Sequence, residues 1–225
     1  SKDWGGVWLA LAVVVKPYMA LLYIYPLFAR KWKMFTIAVS TLLTLTFLSI
    51  LVFGPHVFAS FFIENPTSKL PLFAYTEGIN QSLLSAILRF DPRHVITESP
   101  LSNPLYLGIS LLLTFITGWV TSMKKNSDDW AVLSILFLAL IVYPASLEHY
   151  SVFLIMPVVL LLRQSSESIR GRIIIFFVIF VIYFLSGYAS GSYMFFANLF
   201  VWLVCIVLGA KPGFERIPAS APMAL

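Results

Sequence analysis

Charges along this chain of 225 residues cluster at a few borders and leave apolar, charge-free runs at 4–15, 17–29, 34–63, 99–123, 130–147, 149–162 and 173–210. A helix needs about 20 apolar residues to cross a hydrocarbon core about 30 Å thick, so the pattern predicts membrane segments rather than amphipathic helices of a soluble core. Residues 34–53 and 104–123 predict full-length spans. The last run is too long for one helix, and Gly187, Ser190 and Gly191 offer a break, predicting spans near 173–188 and 193–210. The predicted fold class is all-α, a polytopic transmembrane helix bundle of about seven membrane segments. One transmembrane domain covers 1–225, with 54–103 as an external loop and 211–225 as a cytoplasmic tail.

Residues 54–103 are rich in proline and charge and read as extramembrane. Within them Leu83, Leu84, Ile87 and Leu88 fall on one helical face and Ser82, Ser85 and Arg89 on the other, which predicts a short helix lying on the membrane. Lysine and arginine set the sides. Arg30, Lys31, Lys33, Lys124, Lys125, Arg163, Arg170, Arg172, Lys211 and Arg216 share one side, which is therefore expected to be cytoplasmic. Lys69, Arg89 and Arg93 fall on the other. The expected location is a bacterial cytoplasmic membrane, with the site facing outward. The chain begins at Ser1 and is expected to be the carboxy-terminal part of something longer.

Composition narrows the function. Hydrophobic residues make up 60% and charged residues 11%, against about 45–50% and about 25% in soluble domains. Little chain remains for a soluble nucleotide-binding module, and nucleic acid is not an expected partner. Cys205 is alone, which excludes an internal disulfide and a cysteine metal cluster. Asp128 and Asp129 are adjacent and supply too few ligands for a metal, and none is expected. No phosphate-cradling glycine loop, H-E-x-x-H or G-x-S-x-G occurs.

The polar residues inside apolar runs carry the candidate chemistry. Lys16 lies 14 residues before Arg30, and His149 lies 14 before Arg163. At about 1.5 Å per residue, each stands about 21 Å above the basic border. Pro144 lies 14 residues after Trp130, so three segments reach one level. Irregular backbone at that depth is tolerated only when buried in protein or lining a wet cavity, and the pattern predicts a pocket floored by Lys16, Glu148 and His149. Pro17 breaks or kinks the chain beside Lys16, and residues 4–15 either rise to the outer surface or fold back as a half-helix. Asn80, Gln81 and Ser82 offer two amides and a hydroxyl, groups that suit sugar hydroxyls but equally suit a helix cap. Arg89 can reach an anionic headgroup or serve as an ordinary interfacial arginine.

Taken together, 10–17 ending in Lys-Pro before a span and a basic turn, Asn80, Gln81 and Ser82 leading to Leu88 and Arg89, and the stretch 144–150 resemble glycosyltransferase family 87. The similarity covers nearly the whole chain and the carboxy-terminal half or so of such an enzyme. It implies a GT-C-like fold and a membrane mannosyltransferase that takes hexose, mannose favoured, from a polyprenyl-phosphate carrier to a glycolipid or glycan acceptor. It further implies His149 as the catalytic residue, Lys16, Arg89 and Glu148 in substrate binding, and Asn80 and Gln81 on sugar or acceptor hydroxyls. The lipid-linked sugar is the donor and no separate cofactor is expected. Leu147 stands where the family has Trp, and the family's acidic base lies in an outer loop upstream of residue 1, in the same chain or another. This chain alone is therefore expected to transfer no sugar. The rival readings are a transporter or channel segment with a Lys16, Glu148 and His149 relay, and a non-catalytic membrane subunit.

Overall fold

The structure, a computed structural model, describes residues 4–63, 80–90, 103–123, 128–146 and 191–210, with positions 159, 173, 176, 177, 179–181, 183 and 184. Every element among these is helical. In chain order they are α1 (Gly5–Val15), a 3-10 helix (Pro17–Tyr23) running into α2 (Ile24–Phe28), α3 (Trp32–Phe53), α4 (Pro55–Ile63), α5 (Leu83–Phe90), α6 (Pro104–Ser122), α7 (Asp128–Val142) and α8 (Gly191–Ala210).

Local chemistry sets the breaks. Lys16 ends α1 in an extended conformation, φ −143° and ψ 100°, as the ring of the following Pro17 favours. Arg30 turns the chain into α3 at φ 55°, and Gly54 ends α3 at φ 84°, where glycine has no Cβ to clash. Asn103 caps α6 by accepting from the Leu105 and Tyr106 backbone N–H groups, and Pro104 follows as the first helical residue.

The question left open by the sequence about residues 4–15 has a definite answer. Gly5 and Gly6 lie against the start of α3, where a Cβ on Gly6 would stand 2.5 Å from the Met34 carbonyl oxygen and 2.9 Å from Ile37 Cβ. The two helices therefore begin at one end and run side by side, and the 3-10 helix with α2 returns the chain between them. The Tyr23 hydroxyl bonds to the Ala38 carbonyl at 3.1 Å on that return. α1 is a half-helix that folds back at Lys16.

α7 sits at the centre. Its residues from Trp130 to Ile141 are buried apart from Val132 and Leu136, in contact with the 3-10 helix, α2, α5, α6 and α8. α3 lies at the edge with Ala38 as its buried residue, leaving Leu43, Phe47, Leu51 and Val52 exposed. The exposed faces of α6 and α8 are likewise Leu111, Leu112, Phe115, Trp119, Phe196, Phe200 and Leu203, while Asn80, Gln81, Ser110, Thr117, Thr121, Ser134, Ser146 and Asn198 are buried. Large apolar side chains outside, over an apolar core that also encloses amides and hydroxyls, suit a bundle in lipid, where interhelical hydrogen bonds hold the helices together.

Among the described residues two helices, α3 and α6, are long and apolar enough to cross a membrane, and they match the predicted 34–53 and 104–123 within two residues. Shorter apolar helices cover Gly5–Val15, Pro17–Phe28, Trp130–Val142 and Tyr193–Val207. The 54–103 stretch is not all loop, since it contains α4 and α5. α5 also departs from expectation. It does not lie on the membrane but inserts among α6, α7 and α8, with Leu83, Leu84, Ser85, Ala86 and Leu88 buried, because its polar start is tied to the end of α7.

Candidate functional site

Three interruptions of helix meet above α7. The first is the break at Lys16. α1 rises for 11 residues from the first turn of α3, or about 16 Å at the helical rise, which leaves Lys16 about halfway along the 22-residue α3. The second is the end of α7 at Val142, followed by Tyr143, Pro144, Ala145 and Ser146. The ring of Tyr18, two residues beyond Lys16, packs on that of Tyr143 with centroids 5.0 Å apart, so the break and the turn are neighbours. Lys16 itself is half-buried beside this contact.

The third interruption is the entry to α5, and it holds the turn from above. Asn80 Nδ2 donates to the Pro144 carbonyl at 2.9 Å, Ser82 Oγ donates to the same oxygen at 3.0 Å, and the Gln81 backbone N–H donates to the Ser146 carbonyl at 2.7 Å. The same residues cap α5: Asn80 Oδ1 accepts from Ser82 N, and Ser82 Oγ accepts from Ser85 N. A carbonyl at the end of a helix inside a membrane protein needs donors, and this segment supplies two to Pro144 at once. In the last turn of α5, Arg89 Nη2 donates to the Asn80 carbonyl at 2.9 Å. Burial pulls this guanidinium below the ordinary arginine range, though arginine remains cationic at neutral pH.

Three more bonds secure the arrangement. Tyr106 at the start of α6 donates its hydroxyl to the Val142 carbonyl at 2.6 Å. On the other flank, Asn198 Nδ2 of α8 donates to Gln81 Oε1 at 3.0 Å, while Tyr183 donates its hydroxyl to Asn198 Oδ1 at 2.6 Å.

Of the residues singled out in the sequence, Lys16, Asn80, Gln81 and Arg89 belong to this region. Lys16 stands by the Tyr18 and Tyr143 contact, and the other three lie at the entry to α5. Asn80 and Gln81 are wholly buried, and the bonds above engage both amides within the protein. Glu148 and His149 lie outside the described residues, as do the predicted 211–225 tail and His94, although Ser146 ends the described turn two residues before Glu148. His56 lies in α4, away from the turn in sequence and element. Among the described residues no three His, Cys, Asp or Glu side chains come together to hold a metal ion.

The sequence reading missed Asn198, Tyr183, Tyr106 and Tyr143. Asn198 carried a usable signal, since an amide in the middle of a 20-residue apolar helix demands a partner. The tyrosines did not, because the same residue at a span's end also serves as an interfacial anchor.

Residues 1–157 match the model of glycosyltransferase family 87. No curated protein and no solved structure matches the chain.

Proposed function

The chain belongs to glycosyltransferase family 87, and from that premise we propose that it forms the donor-binding part of a membrane enzyme moving a hexose, mannose favoured, from a polyprenyl-phosphate carrier to a glycolipid or glycan acceptor. The observation that carries this reading is the meeting of the Lys16 break with the turn at Tyr143 and Pro144, marked by the tilted packing of the Tyr18 and Tyr143 rings with centroids 5.0 Å apart. A lysine at the end of a half-helix, level with the middle of the spanning α3, is costly unless it is paired, and a lipid-linked phosphate is an anion whose tail lies in the bilayer.

In the reaction the bond from the sugar's anomeric carbon to the phosphate oxygen breaks as the acceptor oxygen bonds to that carbon, and the acceptor's proton passes to a base. Negative charge grows on the departing polyprenyl phosphate. Lys16 and His149 neutralise it, and fixed cations in a site of low dielectric do so better than mobile water. Arg89 and Glu148 contribute to the same charge balance. Asn80 and Gln81 serve through the turn that they hold. The base belongs to an upstream outer loop, because a carboxylate at Glu148 would stand beside the phosphate-binding cations, on the leaving-group side. The site faces outward, away from the border carrying Arg30, Lys31 and Lys33.

Purified protein, with and without the upstream segment, is assayed with radiolabelled polyprenyl-phosphate mannose. Transfer is expected with the upstream segment, and Lys16→Ala and His149→Ala should each lower it about 100-fold without lowering the melting temperature. Full activity in both variants would refute the phosphate site, and robust transfer without the upstream segment would make Glu148 the first candidate for the base. Ion flux in place of transfer would favour the transporter.

A further inference from the structure

Tyr183 and Asn198 lie beyond residue 157, where the family match ends. We infer that these two are positioning residues for the site, locking Gln81 and through it the turn at Pro144, Ala145 and Ser146 that leads into Glu148 and His149. The inference rests on the proposed role of His149 in the donor site.

Asn198 is wholly buried in α8, and the residues from Tyr193 to Ala210 around it are apolar or aromatic. Both ends of its amide are committed, the oxygen to the Tyr183 hydroxyl and the nitrogen to Gln81 Oε1. Gln81 is the junction. Its side chain takes the bond from Asn198, and its backbone N–H gives the short bond to the Ser146 carbonyl. A shift of Gln81 is therefore transmitted to Ser146, whose main chain continues directly to the residues proposed to hold the donor phosphate. α8 could be packed on α7 by apolar contacts alone, since the two helices touch and Val201, Trp202 and Cys205 belong to the same apolar core as α7. The polar relay adds direction, because it fixes one rotation of Gln81 where apolar contacts allow several. Gln81 lies 117 residues from Asn198 in the chain, so the lock closes only in the assembled bundle.

The test uses the whole chain, joined to the upstream segment, in a Cys205→Ser background. Ser146 is fully buried and its hydroxyl has no hydrogen-bond partner, so Ser146→Cys reports on the turn with little disturbance. Ser134→Cys, within α7 and equally enclosed, reports on the bundle. With N-ethylmaleimide, Asn198→Leu should speed labelling at position 146 about tenfold while leaving position 134 unchanged, and Tyr183→Phe should act in the same direction more weakly. In proteins with the native Ser146, Asn198→Leu should lower kcat for transfer about tenfold with donor KM nearly unchanged, as loss of alignment rather than of binding requires. Unchanged labelling at 146, or equal acceleration at both positions, would overturn the lock. Accelerated labelling at 146 in a parent protein that transfers no sugar would uphold the lock and sink the proposed function instead.

Discussion

Hydrogen bonds that tie side chains to the end of α7 dominate at the scale of single residues. The Pro144 carbonyl takes donors from Asn80 and Ser82, and removing either leaves a buried acceptor half satisfied. Asn80→Ala also loses the turn in which Asn80 Oδ1 accepts from Ser82 N. It should lower stability by about 1–3 kcal/mol, the usual cost of unsatisfied buried groups, measured as the unfolding free energy in detergent. A neutral result would mean that the turn does not depend on this segment. Thr117 offers an independent comparison, because its hydroxyl accepts from the buried Trp202 indole at 3.0 Å between α6 and α8. Thr117→Val keeps the shape and removes the acceptor, and a loss of about 1–3 kcal/mol is expected by the same denaturation measurement.

Among the elements, α1 departs most from what an apolar run suggests. Eleven residues are too few for a core that needs about 20, and the helix begins against Met34 and Ile37 of α3. Its Trp4 end should therefore share a side with Lys31. Single cysteines at positions 4 and 31, in a Cys205→Ser background, should react with an impermeant reagent from the same face of the membrane; labelling from opposite faces would mean that α1 crosses. The close approach at Gly6 also has an energetic signature. A side chain there meets backbone, which cannot move aside as a flexible side chain could, so Gly6→Val should cost about 1–3 kcal/mol or more in a melting experiment. Gly108, with open space around its Cβ position, should tolerate alanine.

At the scale of the whole molecule, the described residues carry large apolar side chains on the outside as well as in the core. Leu43, Phe47 and Leu51 of α3 face outward, and the amides and hydroxyls face in. Lysine at position 47, near the middle of a 22-residue span, should raise the free energy of membrane insertion by about 2.5–3.5 kcal/mol, read as the inserted fraction in a translocon assay. An exposed phenylalanine of a soluble protein would accept the same change without penalty, so an unchanged inserted fraction would contradict the lipid-facing assignment of α3. A lipid surround also explains why the site is polar. With hydrocarbon outside, every break in a helix must find donors and acceptors inside, and the break before α5 supplies donors to the turn at Pro144 and Ser146.

Helix class, the limits of α3 and α6, and the break at Lys16 and Pro17 were legible from sequence, because they depend on local terms: apolar length, the missing N–H of proline, and the cost of charge in hydrocarbon. The residues that prompted the family assignment were legible too, since polar groups in an apolar chain stand out. The direction of α1 was not, because an 11-residue apolar run followed by Lys-Pro fits a rising or a returning path, and the choice turns on two glycines meeting Met34 and Ile37 of another helix. The place of α5 was also hidden. Its apolar face predicts burial in one direction but cannot say whether lipid or protein provides it, and the decision came from the donors that Asn80, Gln81 and Ser82 give to a turn more than 60 residues away. The lock from Tyr183 through Asn198 to Gln81 joins positions 117 residues apart. Only the assembled bundle decides such a contact, because neither amide's need for a partner specifies which partner it will find.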